Sequence, residues 1–281
     1  VSSRYRQLVE KLAVSGGGGD ASNRAYPWND WTNSIAAAFL DRVPIGFLGQ
    51  PVIASTMVFG RTRGRRPAAA RIAMTADVLG VDTAKRLLRE DCIGLPNITD
   101  AKWLTSANRA HHASHLAAYL RAKGRPLWEA GCVAEWGGGY GNMARLIRRM
   151  NPRCTYIIFD LPEILALQYV YLTAVEGEEP HLLSPTEQIA IGKVNLVASY
   201  AALAGEVVTP MCDAFISTWA LSESPASAQT AVLDRRFFGA SAVLMAYRRG
   251  DGNRLEAAVG GSDLAEFPVP FYDPSHSYAL A

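Results

Sequence analysis

The stretch Val133-Ala134-Glu135-Trp136-Gly137-Gly138-Gly139-Tyr140-Gly141-Asn142 decides the fold. Its apolar start reads as a short strand, its four glycines in five positions as a tight turn, and the following Asn142–Met150 as a helix. The alternation continues outward. Strands are expected at 155–159, 194–198, 214–218 and 242–247, and helices at 163–175 and 226–238. Strand–helix alternation with short connections predicts an α/β fold, a mostly parallel sheet with helices on both faces. Upstream, residues 4–14, 35–40, 75–89 and 106–123 carry helical spacing, with breaks at the glycines of 16–19 and at Gly124. The chain thus divides into an N-terminal helical cap over 1–120 and an α/β core over 121–281.

A glycine turn between strand and helix lets a ligand approach the backbone closely. Glu135 stands at the end of the strand before the turn, where a carboxylate can face a cationic ligand group. Asp160 stands at the end of the next strand, where a carboxylate accepts both ribose hydroxyls of a nucleoside cofactor on a doubly wound sheet. A dinucleotide fingerprint requires G-x-G-x-x-G. Gly137 and Gly139 fit it, but the sixth position is Asn142. The pattern is E-x-G-x-G-x-G at Glu135, Gly137, Gly139 and Gly141, the spacing of the S-adenosylmethionine motif of class I methyltransferases. The chemistry agrees. A pyrophosphate favours a helix N-terminus free of nearby carboxylates, whereas S-adenosylmethionine carries an amino group and a sulfonium.

The segments EWGGGYG (135–141), IIFDLPEILALQYVYL (157–172) and DAFISTWALSES (213–224) resemble the sugar O-methyltransferase family, mostly bacterial S-adenosylmethionine-dependent enzymes. The resemblance covers residues 90–250, more loosely at Gly94-Leu95-Pro96 and 108–116. It implies a Rossmann-like class I methyltransferase sheet, S-adenosyl-L-methionine as cofactor, and methyl transfer to a hydroxyl of a small metabolite, a sugar or a glycosylated natural product. It implies that Gly138 and Tyr140 complete the cofactor turn, that Asp160 holds the ribose and that Leu161 packs near the adenine. Ser199 stands where the family places an acid or amide against the adenine. Thr218 and Trp219 lie where the fold places the methyl group, and an aromatic face there attracts a sulfonium.

Transfer to a hydroxyl needs positioning, a dry pocket and a base. The candidate bases are Glu223 after the fourth core strand, His112 within His111-His112-x-x-His115, and His276 near the C-terminal end of the sequence. His111 and His115 share a helix face, but no acid close in sequence supplies a third ligand, so no metal is expected. Tyr26, Trp28 and Trp31 are candidates for a lid over the pocket. Arg61, Arg63, Arg65, Arg66 and Arg71 read as a solvated loop rather than a phosphate grip. Two other readings stay open: transfer or cyclisation of the cofactor's aminopropyl group with release of methylthioadenosine, and a non-catalytic binding module.

Composition bounds the rest. The 281 residues are 49% hydrophobic and 19% charged with a net charge of +2, which excludes extensive disorder and gives no field aimed at a polyanion. The expected partner is a small-molecule substrate, not nucleic acid. No apolar run reaches the ~18 residues of a membrane span. Cys92, Cys132, Cys154 and Cys212 form no CxxC pair and read as small buried thiols of a cytoplasmic protein. A homodimer is compatible with this fold.

Overall fold

The helical spacing of the first half gives α1 (Trp28–Phe39), α2 (Pro51–Thr56), α3 (Arg65–Leu79) and α4 (Val81–Leu88) in the computed structural model. The structure describes residues 7, 8, 10, 28–39, 45–58, 65–184, 187–250, 254–260 and 264–281. One helix is expected over 75–89, but Gly80, at φ +74°, separates α3 from α4. A short ribbon of β1 (Ile98–Asp100) and β2 (Thr105–Ser106) leads into α5 (Ala107–Lys123). The Ser106 hydroxyl accepts the Arg109 N–H at 3.0 Å and caps α5, which stops at Gly124. α3 packs along α5.

The second half runs β3 (Cys132–Trp136), α6 (Asn142–Met150), β4 (Thr155–Asp160), α7 (Pro162–Glu176), β5 (His181–Leu182), β6 (Val194–Ala198) and α8 (Ser199–Leu203). It continues through β7 (Ala214–Thr218), α9 (Ala226–Asp234), β8 (Ala242–Arg248), α10 (Arg254–Gly260), β9 (Ala265–Pro268) and β10 (His276–Leu280). The sheet order is β5-β6-β4-β3-β7-β8-β10-β9. Neighbours from β5 to β8 run parallel, and β10 is antiparallel to both β8 and β9. This is the Rossmann-like α/β sheet expected from the strand–helix alternation. Its central strands are buried on both faces, which is why β4 and β7 read as unbroken apolar runs. The chain leaves β3 towards β4 on one side and returns to β7 on the other. At that reversal the connections diverge and a crevice opens at the carboxyl ends of the strands.

Three expectations are corrected. The helix expected over 226–238 ends at Asp234, because Arg236, Phe237 and Phe238 take positive φ. The arginine run is not a loop from residue 65 onward. It enters α3, and Arg71, 1% exposed, holds its guanidinium 5.4 Å from the Phe271 ring centroid and 5.6 Å from that of Tyr272. Cys92 is exposed, whereas Cys154 and Cys212 are buried beside core strands and Cys132 is half-buried. The glycines of 16–19, Tyr26, Arg61 and Arg63 lie outside the described residues, as do the side chains of Trp28, Arg65 and Arg66. Among the described residues no helix is long and apolar enough to cross a membrane.

A buried ion cluster ties α5 to the segment after α4 and to helices α6 and α7. Arg109, with 0% side-chain exposure, reaches Glu90 at 3.0 Å and Asp91 at 2.8 Å. Asp91 also takes Arg145 at 2.8 Å and Arg149 at 2.6 Å, both from α6. Arg145 continues to Glu176, the last residue of α7, at 2.9 Å. Burial alone would push the Asp91 carboxyl up, but the hydrogen bonds from Arg145 and the charges of Arg109 and Arg149 hold it at about 2. Its stabilisation is therefore present above the unfolded value of 3.8 and is lost as pH falls through about 2. Asp91→Ala leaves three guanidinium groups short of a partner and is expected to cost ~3 kcal/mol or more. Urea denaturation measures this, and a loss below about 1 kcal/mol would mean that the cluster does not hold α5 in place.

Candidate functional site

The crevice is a cavity of about 380 Å³, within the ~300–1,000 Å³ range of small-molecule pockets. The core contributes Glu135, Gly137, Gly138, Gly139, Tyr140, Asp160, Leu161, Ser199, Thr218, Trp219 and Glu223 to its lining. The cap side contributes residues 55–58 and, from α5, Asn108, His111 and His112. Tyr272, between β9 and β10, borders it as well. Gly141 stands outside the lining, where it starts α6 under the Leu172 side chain.

The turn has its shape because side chains are missing from it. Gly137 has φ +76°, and a Cβ there would lie 2.0 Å from that of Ala220. At Gly138 a Cβ would meet Ile158 at 2.9 Å and Glu135 Oε2 at 3.1 Å. Tyr140 fastens the turn to the cap. Its hydroxyl accepts from Asn108 Nδ2 at 3.1 Å, and its ring meets Tyr171 edge-on at 4.9 Å.

Glu135 is buried and Asp160 half-buried. Glu135 is 2% exposed, and its Oε2 accepts the Tyr156 hydroxyl at 2.9 Å. Burial raises its pKa, the Tyr156 hydrogen bond lowers it and the Asp160 charge raises it again, to about 8. Ligand-free, Glu135 is thus mostly a neutral acid at pH 7, and a cation beside it would drive the proton off. Asp160 accepts the Leu161 N–H at 2.9 Å on Oδ1 and Gln168 Nε2 at 2.8 Å on Oδ2. Burial raises it to about 7 against these hydrogen bonds. Gln168 Nε2 also reaches the Gly139 carbonyl at 2.8 Å and so ties the acid of β4 to the turn after β3.

Beside the turn stands an aromatic wall. Trp219 has φ +69°, a costly conformation for a bulky residue. Three contacts hold it there. Its N–H donates to the Ala246 carbonyl at 2.8 Å, its indole N–H donates to His276 Nδ1 at 2.9 Å, and its ring stacks on His111 at 5.6 Å. His276, the first residue of β10, therefore stands behind Trp219 and is not among the lining residues. His111 Nε2 lies 3.2 Å from His115 Nε2, and His115 Nδ1 bonds the Tyr278 hydroxyl. Burial, neighbouring rings and Arg71 push His111 and His115 well down. Burial and the Arg109 charge take His112 to about 3. Among the described residues no group of three or more His, Cys, Asp or Glu is arranged to hold a metal ion.

The structure thus brings Glu223 and His112 to the cavity and sets His276 behind it. Trp31 lies half-buried in α1 and outside the lining. Sequence reasoning missed Asn108, Asn142, Gln168 and Tyr272. Asn108 and His112 are i,i+4 on α5, and that spacing was the available signal.

These shifts set the pH dependence of the ligand-free protein. A carboxyl raised on folding loses stability as pH climbs from its unfolded to its folded value: 4.5 to about 8 for Glu135 and 3.8 to about 7 for Asp160. A lowered histidine loses stability as pH falls below 6.5. Three histidines outweigh two carboxyls, at about 1.4 kcal/mol per pH unit each. The melting temperature is expected to peak near pH 6.5. Glu135→Gln should raise it, by an increment that grows between pH 5 and pH 8. Thermal denaturation across this range checks both, and an increment independent of pH would contradict the neutral-acid assignment.

No protein-family model matches the chain, and no curated protein does. Among solved structures it is similar to the pyocyanin biosynthetic protein PhzM, at 15% identity and TM-score 0.41 over 62% of this chain and 56% of that one. It is similar to magnesium protoporphyrin IX methyltransferase ChlM from Synechocystis PCC 6803 with bound SAM, at 12% identity and TM-score 0.41 over 75% and 95%. It is also similar to the S-adenosylmethionine-dependent methyltransferase SibL in its apo form, at 14% identity and TM-score 0.38 over 88% and 76%. The chain spans little more than half the length of PhzM. The functional reading therefore rests on the sequence motifs and on the geometry of the cavity.

Proposed function

We propose that this chain is an S-adenosylmethionine-dependent methyltransferase acting on a hydroxyl of a small metabolite, a sugar or a glycosylated natural product among them. One observation carries the reading: Glu135, Gly137 and Gly139 of the E-x-G-x-G-x-G turn border one cavity with Asp160 at the point where the sheet order reverses. The residues suit the cofactor. Asp160 offers carboxylate oxygens to the ribose, with Leu161 and Ser199 beside it for the adenine. The turn from Gly137 to Gly139 leaves its backbone open to the amino-acid end, and Glu135 meets the ammonium. The Trp219 wall faces the sulfonium. When bound, the cofactor supplies an electrophilic methyl group.

The chain's own task is then to orient the acceptor, keep water out and take one proton. His111, Trp219 and Tyr272 give the acceptor a neutral aromatic wall, since the histidine is held uncharged. Glu223 borders the cavity one turn beyond Trp219, its N–H bonded to the Trp219 carbonyl at 3.1 Å, and we assign it as the base.

Asp160→Ala is expected to weaken S-adenosylhomocysteine binding tenfold or more by calorimetry. Unchanged affinity would sink the ribose assignment. Glu223→Gln should lower turnover about a hundredfold or more with S-adenosylhomocysteine affinity unaltered. Mass spectrometry after incubation with S-adenosylmethionine and candidate acceptors tests the reaction itself. S-adenosylhomocysteine and an acceptor heavier by one methylene are expected. Methylthioadenosine would instead point to aminopropyl chemistry.

A further inference from the structure

The described lining of the cavity holds four acids, Glu135, Asp160, Glu163 and Glu223, and neither lysine nor arginine. A zwitterionic ligand has to place its carboxylate somewhere within that lining. One face suits an anion. On α5, Asn108 and His112 stand one turn apart, both bordering the cavity and each bonded to the glycine-turn segment. Asn108 Nδ2 donates to the Tyr140 hydroxyl at 3.1 Å, and Asn142 Nδ2 lies 2.9 Å from His112 Nδ1.

Asn142 is fully buried, and among the described residues its carbonyl oxygen has no hydrogen-bond partner. Its amide nitrogen bonds His112 while its carbonyl stays unsatisfied, an arrangement that orients that ring. Because the amide nitrogen donates to Nδ1, the proton of the neutral ring resides on Nε2. His112 is then a hydrogen-bond donor at its remaining nitrogen and not a proton acceptor there. The first turn of α6 begins at Asn142, and the buried Arg109 guanidinium adds positive potential at the ring.

We propose that His112, fixed as the Nε2–H tautomer by Asn142, is the donor that binds the carboxylate of the cofactor's amino-acid end, with Asn142 as its positioning residue. This rests on the S-adenosylmethionine reading and removes His112 from the set of bases. It also makes the cap helix part of the cofactor site.

Calorimetry with two ligands tests it. S-adenosylhomocysteine carries the carboxylate, and 5′-methylthioadenosine keeps the nucleoside but lacks the amino-acid end. His112→Ala is expected to weaken S-adenosylhomocysteine tenfold or more and to leave 5′-methylthioadenosine within twofold, with partial rescue by His112→Gln, which retains a donor. Asn142→Leu should produce a smaller loss of the same selectivity. Nitrogen-15 spectra of the histidines should show His112 protonated on Nε2 in the parent protein and a mixture of tautomers in Asn142→Leu. Unchanged affinity for both ligands in His112→Ala, or an equal loss for both, overturns the assignment, and so does an Nδ1–H tautomer in the parent. A parent protein that binds neither ligand overturns the S-adenosylmethionine reading itself, and this assignment with it.

Discussion

The position of α5 depends on one buried cation. Arg109 has no solvent to fall back on, so Glu90 and Asp91 must lie where its guanidinium is. Asp91 in turn draws two arginines from α6, the helix that leaves the glycine turn. Cap helix and turn helix are thereby pinned to the same carboxylate. Buried ion pairs are poor sources of net stability, because desolvation consumes most of the attraction. They are strict about geometry, however, since any displacement strands a charge. That strictness is what a site shared between two parts of the chain requires. Asn108, His111 and His112 all lie on the first two turns of the helix that Arg109 anchors.

Enclosure also works against charge on five side chains at and beside the cavity. Desolvation raises the pKa of Glu135 and Asp160 and lowers that of the three α5 histidines. The ligand-free crevice stores a desolvation cost that a ligand of matching charge relieves. A cation beside Glu135 returns the carboxylate to its ordinary ionised state, whereas an anion there would be opposed by two acids. Affinity is thereby coupled to charge pattern more than to contact area.

How much of this was legible in the sequence follows from how local each determinant is. The strand, turn and helix around residues 133–150 are specified by neighbours in sequence, through apolar runs and glycines. Asp160 was legible for the same reason, as the last residue of an apolar strand. Asn142 was visible only as a mismatch to a dinucleotide fingerprint, because its partner His112 lies thirty positions away. Arg71 read as a solvated loop residue because the rings that receive it, Phe271 and Tyr272, come from the far end of the chain. β9 and β10 escaped notice for a related reason. Each has five residues or fewer, Pro268 closes β9, and Pro270 and Pro274 punctuate the segment between them, so their strand character comes from pairing, β10 on β8 and β9 on β10. His276 consequently read as a catalytic candidate, whereas its ring nitrogen is committed to Trp219.

Trp219 shows how these long-range parts act together. A tryptophan in the left-handed region persists only where its surroundings over-determine it. Here the surroundings come from three places: the Ala246 carbonyl on β8, His276 on β10 and the His111 ring on α5. The antiparallel return of β10 is what brings His276 within reach, and the ion cluster is what holds α5 at stacking distance. Neither element carries a recognisable motif. The two strands that close the sheet and the buried arginine of the cap thus serve one purpose, to keep an aromatic face rigid against the glycine turn. The motif-bearing core offers a place for a nucleoside ligand, and the motif-free remainder fixes the shape of the wall that the ligand's reactive end would meet.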